Sequence, residues 1–352
     1  MENEKMCGIA VPWKREEFVM KSIFFGLDER MNYVYTAEQK QWLAEHAGLL
    51  TTETVTKEML LEAPGKYADV ECVFSTWGTP DLTQEQVAEY LPNLKYLYYG
   101  AGSVQSFARP YMNNGVRIFS AWQANAVPVA EFTVAQVLLA NKGYFAAMQL
   151  HSVGKRDAAW DACNLRPGNY GCRVGIIAAG QIGKMVIKAL AARKLEILVY
   201  DPYLPDEEAE ALGAKKATLE EIFSTCQTIS NHLPNLPSTQ RMLTYEHFSR
   251  MRPGTTFINT GRGAQIEDEG LIRALQEDPT RMALIDVTLP EILPEDHIFY
   301  QLPNVLMTPH IAGSLNDEVH RMAQYMIEEY SRVSAGEEPL YEVSWKMLET
   351  MA

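Results

Sequence analysis

Residues 173–201, RVGIIAAGQIGKMVIKALAARKLEILVYD, constrain the fold more tightly than any other stretch of this chain. A short run of apolar and β-branched residues enters a turn of small residues, a helical segment follows, and a second apolar run ends at Asp201. Two strands joined through a helix pair in parallel, and a parallel sheet needs helices over both faces to bury its apolar runs. The same alternation recurs on either side of this unit. From Lys21 to Arg117 the strand-like runs KSIFFGLD, ADVECVFSTW, LKYLYYG and VRIFSA interleave with the helical patterns TAEQKQWLAEHAG and TQEQVAEYL. Beyond Asp201 the runs TISNHLP, RPGTTFINT, RMALIDV and NVLMTPH interleave with TLEEIFSTC and EDEGLIRALQED. The chain is therefore expected to be α/β, with two doubly wound parallel-sheet domains.

A chain of 352 residues is long for one core and suits two domains. The expected division is an N-terminal extension at 1–19, a first domain at 20–126 plus 320–352, and a second at 127–319. The first is discontinuous because the long helical segment SLNDEVHRMAQYMIEEYSRV follows the completed second sheet and is read as returning to the first. Thr36 and Gly48 are placed as the start and stop of one helix, while Thr218 with Glu221 and Ser314 with Asp317 have capping-box spacing. The segment VPVAEFTVAQVLLANKGYFAAMQLH is apolar on most sides, so its burial between domains or between subunits is expected.

A formal net charge of -14, without clusters of Lys or Arg, speaks against a nucleic-acid partner, whose phosphates require such clusters. An anionic substrate would need a locally placed cation. The five cysteines lie far apart and form no C-x-x-C pair, so they read as thiols of a reducing compartment, and no metal site is expected. No run approaches the roughly 20 apolar residues of a membrane span. The first residues lack a basic stretch followed by an apolar core, so a cytoplasmic location without membrane contact is expected.

AAGQIG at 178–183 has the outline of G-x-G-x-x-G with its first glycine replaced by Ala178. Such a loop cradles the pyrophosphate of a dinucleotide when a buried strand enters it and a helix N-terminus faces the charge. RVGII and QIGKMVIKALAARK supply both parts, Gly180 allows close backbone approach, and Gly183 allows the helix to pack on the strand. Asp201 lies 18 residues beyond Gly183, near the spacing at which a carboxylate meets the adenosine ribose hydroxyls. A carboxylate there repels a 2′-phosphate, which favours NAD over NADP. If position 178 requires positive φ, its alanine strains the turn by about 1 kcal/mol. On its own residues the loop also fits an ordinary strand-turn-helix without a ligand.

Three later segments each bring a reactive side chain to the end of a strand, where open α/β folds bind ligands. They are FINTGRG with Arg262, LIDVTLPE with Asp286 and Glu291, and VLMTPHIAGS with His310. With LKYLYYGAGSV, VPVAEFTVAQVLL, GIIAAGQIG, VYDP and ISNHLPNLPSTQRML, they make the chain from Ser22 onward resemble the D-isomer-specific 2-hydroxyacid dehydrogenases. That family uses NAD and is built from two Rossmann-like domains.

The resemblance implies a catalytic triad of Arg262, Glu291 and His310. Glu291 stands 29 residues after Arg262, as the family's Glu does, whereas Leu289 occupies the other place where relatives often carry Glu. By resemblance His310 is the general acid and base at the substrate carbonyl oxygen, Glu291 orients the ring and favours its charged form, and Arg262 holds the substrate carboxylate. The resemblance further assigns backbone N–H groups of Ala101, Gly102 and Ser103 to the substrate, with Trp77 lining the pocket. Read locally, those three are equally a strand-to-helix connection, and Trp77 is a packing residue.

For NAD the resemblance implies Gly180, Gln181, Ile182 and Gly183 at the pyrophosphate and Asp201 at the ribose. His232, Pro234 and Thr239 fall near the adenosine and phosphates, Thr260 and Gly261 by the nicotinamide ribose, Asp286 at the carboxamide, and Gly313 in the same site. Gln181 stands where many relatives carry Arg, which implies weaker NAD binding. The implied activity is the interconversion of a D-2-hydroxy acid and its 2-oxo acid in a homodimer. A formate dehydrogenase fits less well, since those relatives carry Gln at the position of Glu291. Because the fold also serves transcriptional corepressors, an NAD(H)-sensing interaction protein is the alternative.

Overall fold

Ser22–Phe25 (β1), Cys72–Ser75 (β3) and Tyr96–Tyr99 (β4) are short strands of apolar and aromatic residues, the first two buried along their whole length. In the computed structural model, which describes residues 19–350, they join Leu49–Val55 (β2) and Arg117–Ser120 (β5) in a parallel sheet of order β2-β1-β3-β4-β5. The extension expected at 1–19 lies, apart from Val19, outside the described residues.

Stacked rings hold one face of this sheet. Tyr98 lies with its centroid 4.8 Å from that of Phe119 and 5.3 Å from that of Phe74. Tyr330, on the helix Val319–Ser334, adds a third contact at 5.5 Å from Phe74. The buried carboxylate of Glu329, one residue earlier, accepts hydrogen bonds from the N–H groups of Leu340 and Tyr341, each at 2.9 Å. These contacts make the first domain discontinuous, as expected. Its compact unit comprises residues up to Gly100, Phe107–Ser120 and Ala323–Glu342. Residues 101–106 and 343–350 instead belong to the second unit, with 121–322.

The second unit carries Arg173–Ile177 (β6), Glu196–Tyr200 (β7), Lys215–Lys216 (β8), Thr228–Asn231 (β9), Thr256–Asn259 (β10), Met282–Ile285 (β11) and Val305–Met307 (β12). All neighbours are parallel, in the order β12-β11-β10-β9-β6-β7-β8. The strand order reverses at β6, where a doubly wound sheet opens its ligand crevice. Helix Trp122–Asn141 covers one face, where Ala130 and Val137 share a core with Val186, Ile187 and Leu190 of helix Gln181–Ala191. The long apolar segment expected after Val127 is divided: Gly143 takes φ 73 and starts a separate helix, Tyr144–Ser152.

Local signals fared unevenly. Thr36 caps its helix with a full capping box to Gln39, and Gly48 takes φ 57 just beyond the same helix. Thr218 accepts from the Glu221 N–H as its spacing suggested. Ser314 and Asp317 do not form a capping box; a turn of 3-10 helix at Asn316–Glu318 precedes the last long helix, and Glu318 reaches back to the Leu315 N–H instead. Among the described residues no helix is long and apolar enough to cross a membrane.

Candidate active site

Register sets the site. Tyr200, Ile177, Asn231, Asn259, Ile285 and Met307 pair across six strands of the second sheet in one transverse row. The next residue in each strand is Asp201, Ala178, His232, Thr260, Asp286 or Thr308. Most candidates drawn from widely separated motifs therefore emerge along one edge of one sheet.

At the loop after β6, Ala178 adopts φ 70, so the position does require the left-handed region. A Cβ on Gly183 would lie 2.1 Å from the Ala178 carbonyl oxygen, whereas one on Gly180 would meet nothing within 4 Å. Gly183 is needed for packing; the space at Gly180 is open toward a ligand at the N-terminus of helix Gln181–Ala191. This cradle fits a pyrophosphate. Gln181 makes only a long contact to the Met185 sulfur, 3.9 Å, and Ile182 packs at the edge of the core. Asp201 accepts from the Ala179 N–H at 2.8 Å through Oδ2, and from Tyr203 and Leu204 N–H groups at 2.8 and 3.1 Å through Oδ1. It thus ties the loop to β7. Beside it opens a cleft of about 350 Å³ lined by Asp201, Lys216, Thr218 and Glu220, among others.

Beyond β9, His232 is buried, its backbone N–H on the Ile177 carbonyl at 2.8 Å and Nε2 3.0 Å from Ser230 Oγ. Burial lowers its pKa to about 4, so the ring is neutral, and Nδ1 has no partner. Thr239 Oγ1 donates to the Pro234 carbonyl at 2.6 Å and shapes that turn. Thr260 Oγ1 lies 3.2 Å from Thr133 Oγ1 on the covering helix.

The Arg262 loop rests on side-chain amides that the motifs did not single out. Asn231, Asn259 and Gln265 are fully buried. Asn231 Nδ2 donates to Asn259 Oδ1 at 2.9 Å and to Gln265 Oε1 at 2.6 Å, while Gln265 Oε1 also accepts the Arg262 N–H at 3.0 Å. Asn259 receives the Gly261 N–H and donates to the Arg262 carbonyl. Gln265 Nε2 donates to the carbonyls of Leu233 and Pro234. The strand ends of β9 and β10 and the loops beyond them are one hydrogen-bonded body. Arg262 Nη1 donates to the Gly261 carbonyl at 2.7 Å; burial lowers its pKa, and the charge of Glu291 opposes that shift.

Gly263 links this body to the acidic turn. A Cβ there would fall 2.1 Å from the Thr288 carbonyl carbon, so only glycine admits that approach. The turn is held by Thr288 Oγ1, which donates to the carbonyls of Pro290 and Glu291. It presents Glu291 Oε1 to His310 Nδ1 at 2.5 Å, both side chains about half exposed. His310 has φ 57, and its N–H donates to the carbonyls of Asp286 and Thr308 at 3.0 Å each. The buried Asp286 carboxylate accepts from Thr308 Oγ1 at 2.5 Å, Ile311 N–H at 2.9 Å and Ala312 N–H at 3.0 Å. Asp286 therefore folds the turn that carries His310.

Asn125 was also missed. Its Oδ1 accepts the Ser314 N–H at 3.1 Å, and both Gly313 and Gly102 approach its amide closely enough that an added Cβ would touch it. Ala101 is buried, Ser103 Oγ accepts the Gln105 N–H, and the 101–103 segment thus stands next to 313–314 within the second unit. Trp77 belongs to the first unit and packs on Tyr33, centroids 6.5 Å apart. Among the described residues no group of His, Cys, Asp and Glu has the arrangement of a metal site.

Comparison with known proteins bears on the family of the second unit. Residues 136–312, half of the chain, match the family described as D-isomer specific 2-hydroxyacid dehydrogenase, NAD binding domain. D-3-phosphoglycerate dehydrogenase of Methanocaldococcus jannaschii is 28% identical over 299 residues, covering 84% of this chain and 55% of that protein. The chain spans 35 to 55% of the length of the phosphoglycerate dehydrogenases it matches. Glyoxylate reductase of Thermofilum pendens is 28% identical over 74% of this chain and 77% of its own. In fold, the structure is similar to D-mandelate dehydrogenase of Rhodotorula graminis, with TM-score 0.75, 18% identity, and coverage of 93% and 98% of the two chains. With a pyrophosphate cradle after the central strand and a family match that spans the same sheet, the chain belongs to the D-isomer specific 2-hydroxyacid dehydrogenases, and its second unit carries their NAD-binding domain.

Proposed function

We propose that the protein interconverts a D-2-hydroxy acid and its 2-oxo acid, with His310 as general acid and base, Glu291 orienting it, and Arg262 binding the substrate carboxylate. The observation that carries this reading is the 2.5 Å contact between His310 Nδ1 and Glu291 Oε1. A carboxylate on Nδ1 fixes the tautomer and leaves Nε2 to exchange a proton with the substrate oxygen. Bound NAD(H) supplies or accepts the hydride at the neighbouring carbon. Arg262 is the cation that an acidic protein needs near an anionic substrate; its partial removal from water strengthens pairing with a carboxylate. The names of the relatives, phosphoglycerate dehydrogenase and glyoxylate reductase, support the 2-hydroxy acid class without selecting a member. The acid at Glu291, rather than an amide, supports that class over formate. Asp201 and its adjoining cleft suit the adenosine half of the cofactor.

Self-association is part of this reading. Tyr144, Met148, Val153 and Trp160, on and between helices Tyr144–Ser152 and Arg156–Asn164, are 44 to 68% exposed. Such an apolar surface supports a homodimer formed through the cofactor-binding unit.

The test is NADH oxidation by purified protein against 2-oxo acids from glyoxylate to branched and aromatic members, with NADPH in parallel. Turnover of one group with preference for NADH is expected. Calorimetric binding of NADH without turnover of any acid would favour the sensing protein; absence of NADH binding would overturn both.

A further inference from the structure

The amino-terminal edge of the second sheet, opposite the active row, carries a cleft of about 580 Å³. Arg173 opens β6, Gln227 precedes β9 and Arg252 precedes β10, so the cleft faces the starts of three central strands. Five residues of strand at about 3.3 Å each place it roughly 15 Å from the dinucleotide loop. Three arginines line it, Arg166, Arg173 and Arg252, and none of its lining residues is acidic. This is unexpected in a chain of net charge -14.

The charges are unequally compensated. Arg173 is held by Glu196 in a two-point contact at 2.9 and 3.3 Å. Arg252 donates to the Thr225 carbonyl at 3.3 Å and, among the described residues, forms no salt bridge. Arg166 is 8% exposed; it donates to the carbonyls of Ala162 and Thr280, and among the described residues its Nε has no partner and no carboxylate pairs with it. A buried guanidinium without a counter-ion is costly, and a buried charge is ordinarily paired. Ser224, Thr225 and Gln227 also line the cleft, with their side chains donating to the carbonyls of Glu220, Glu221 and Gly254.

We propose that this cleft binds a small, multiply charged anion, a phosphorylated or polycarboxylic metabolite, at a site separate from the cofactor and the substrate. The exposed guanidinium group of Arg252 receives its oxygens, Arg173 offers the donors that Glu196 does not occupy, and the buried Arg166 supplies a fixed positive charge behind them. The volume exceeds that of a bare phosphate and suits a metabolite of the size ordinary ligand pockets hold.

Calorimetric titration of the full chain with inorganic phosphate and, separately, citrate, in a buffer free of multivalent anions, tests the site. Binding of phosphate alone assigns a phosphoryl ligand, and binding of citrate alone a carboxylate ligand. Arg252→Gln, an exposed position, is expected to weaken the binding at least tenfold, and Arg173→Gln to act in the same direction, while Arg262→Gln retains it. The proposal is overturned if neither anion binds, if Arg252→Gln binds as the wild type does, or if Arg262→Gln abolishes the binding and so places the anion in the substrate site.

Discussion

His310 and Ala178 share a backbone state that few side chains adopt, with φ 57 and 70, but for different reasons. At His310 the conformation lets one N–H reach two carbonyls while the ring meets Glu291, so the strain sits at the proposed general acid and base. His310→Ala is expected to leave NADH affinity within about twofold and to lower kcat by about 10²–10⁴, the usual range for a general acid and base; activity like the wild type's would remove His310 from the mechanism. At Ala178 the methyl group is buried as part of the hydrophobic core that includes Ile177 and Leu198, which offsets part of the cost of the conformation. Ala178→Gly is expected to change stability in urea unfolding by less than about 1 kcal/mol, because the relief of strain at positive φ is opposed by the loss of a buried methyl group; a gain or loss of several kcal/mol would contradict this balance. His232 gives a pH signature. Its folded pKa of about 4 lies below the ordinary 6.5, so on acidification the unfolded chain takes up a proton that the folded chain refuses. Its contribution is complete above pH 6.5 and is lost as pH falls toward 4, about 3 kcal/mol in all. Asp268, pushed up to about 6 by burial, acts in the opposite sense. The measurement is therefore a comparison between pH 7 and 4.5, in which His232→Asn should lose less stability than the wild type.

At the scale of elements, the amides between β9, β10 and the Arg262 loop act as a single brace. Gln265→Leu leaves the Arg262 N–H and two carbonyls without their partner, which should cost about 2–3 kcal/mol. It should also raise KM for the acid more than it lowers kcat, because the loop that carries Arg262 loses its support; equal kinetics with lowered stability would confine Gln265 to a structural role. The strands and the reactive ends were legible in the sequence because both are local: an apolar run followed by Arg262, Asp286 or His310 is visible in a dozen residues. β2 was not, since LLTTETV sits at a sheet edge and mixes polar with apolar positions. The two residues of β8 give no periodicity to read. Asn231, Asn259, Gln265 and Asn125 escaped because each amide finds its partner in a distant segment, 28, 34 or 189 residues away. The capping spacing at Ser314 and Asp317 misled because a short 3-10 turn at Asn316–Glu318 shifted the helix start.

For the whole molecule, the apolar surface of the second unit makes oligomeric state a direct test. Trp160 is 68% exposed, so Trp160→Asp should not unfold the chain, yet in the homodimer we propose a charge placed on this apolar surface should shift sedimentation from dimer toward monomer. Unchanged sedimentation would place the self-association elsewhere. The same unit shows how its chemistry is separable from its scaffold. Six strands stop in step, at about 4.8 Å pitch, and the side chains just beyond them form the teeth of a comb. Ladder hydrogen bonds set the pitch, and no single tooth does. Exchanging the group at one tooth can therefore retune reactivity while its neighbours keep their separations, and lengthening a connection at the far edge leaves the comb unaltered.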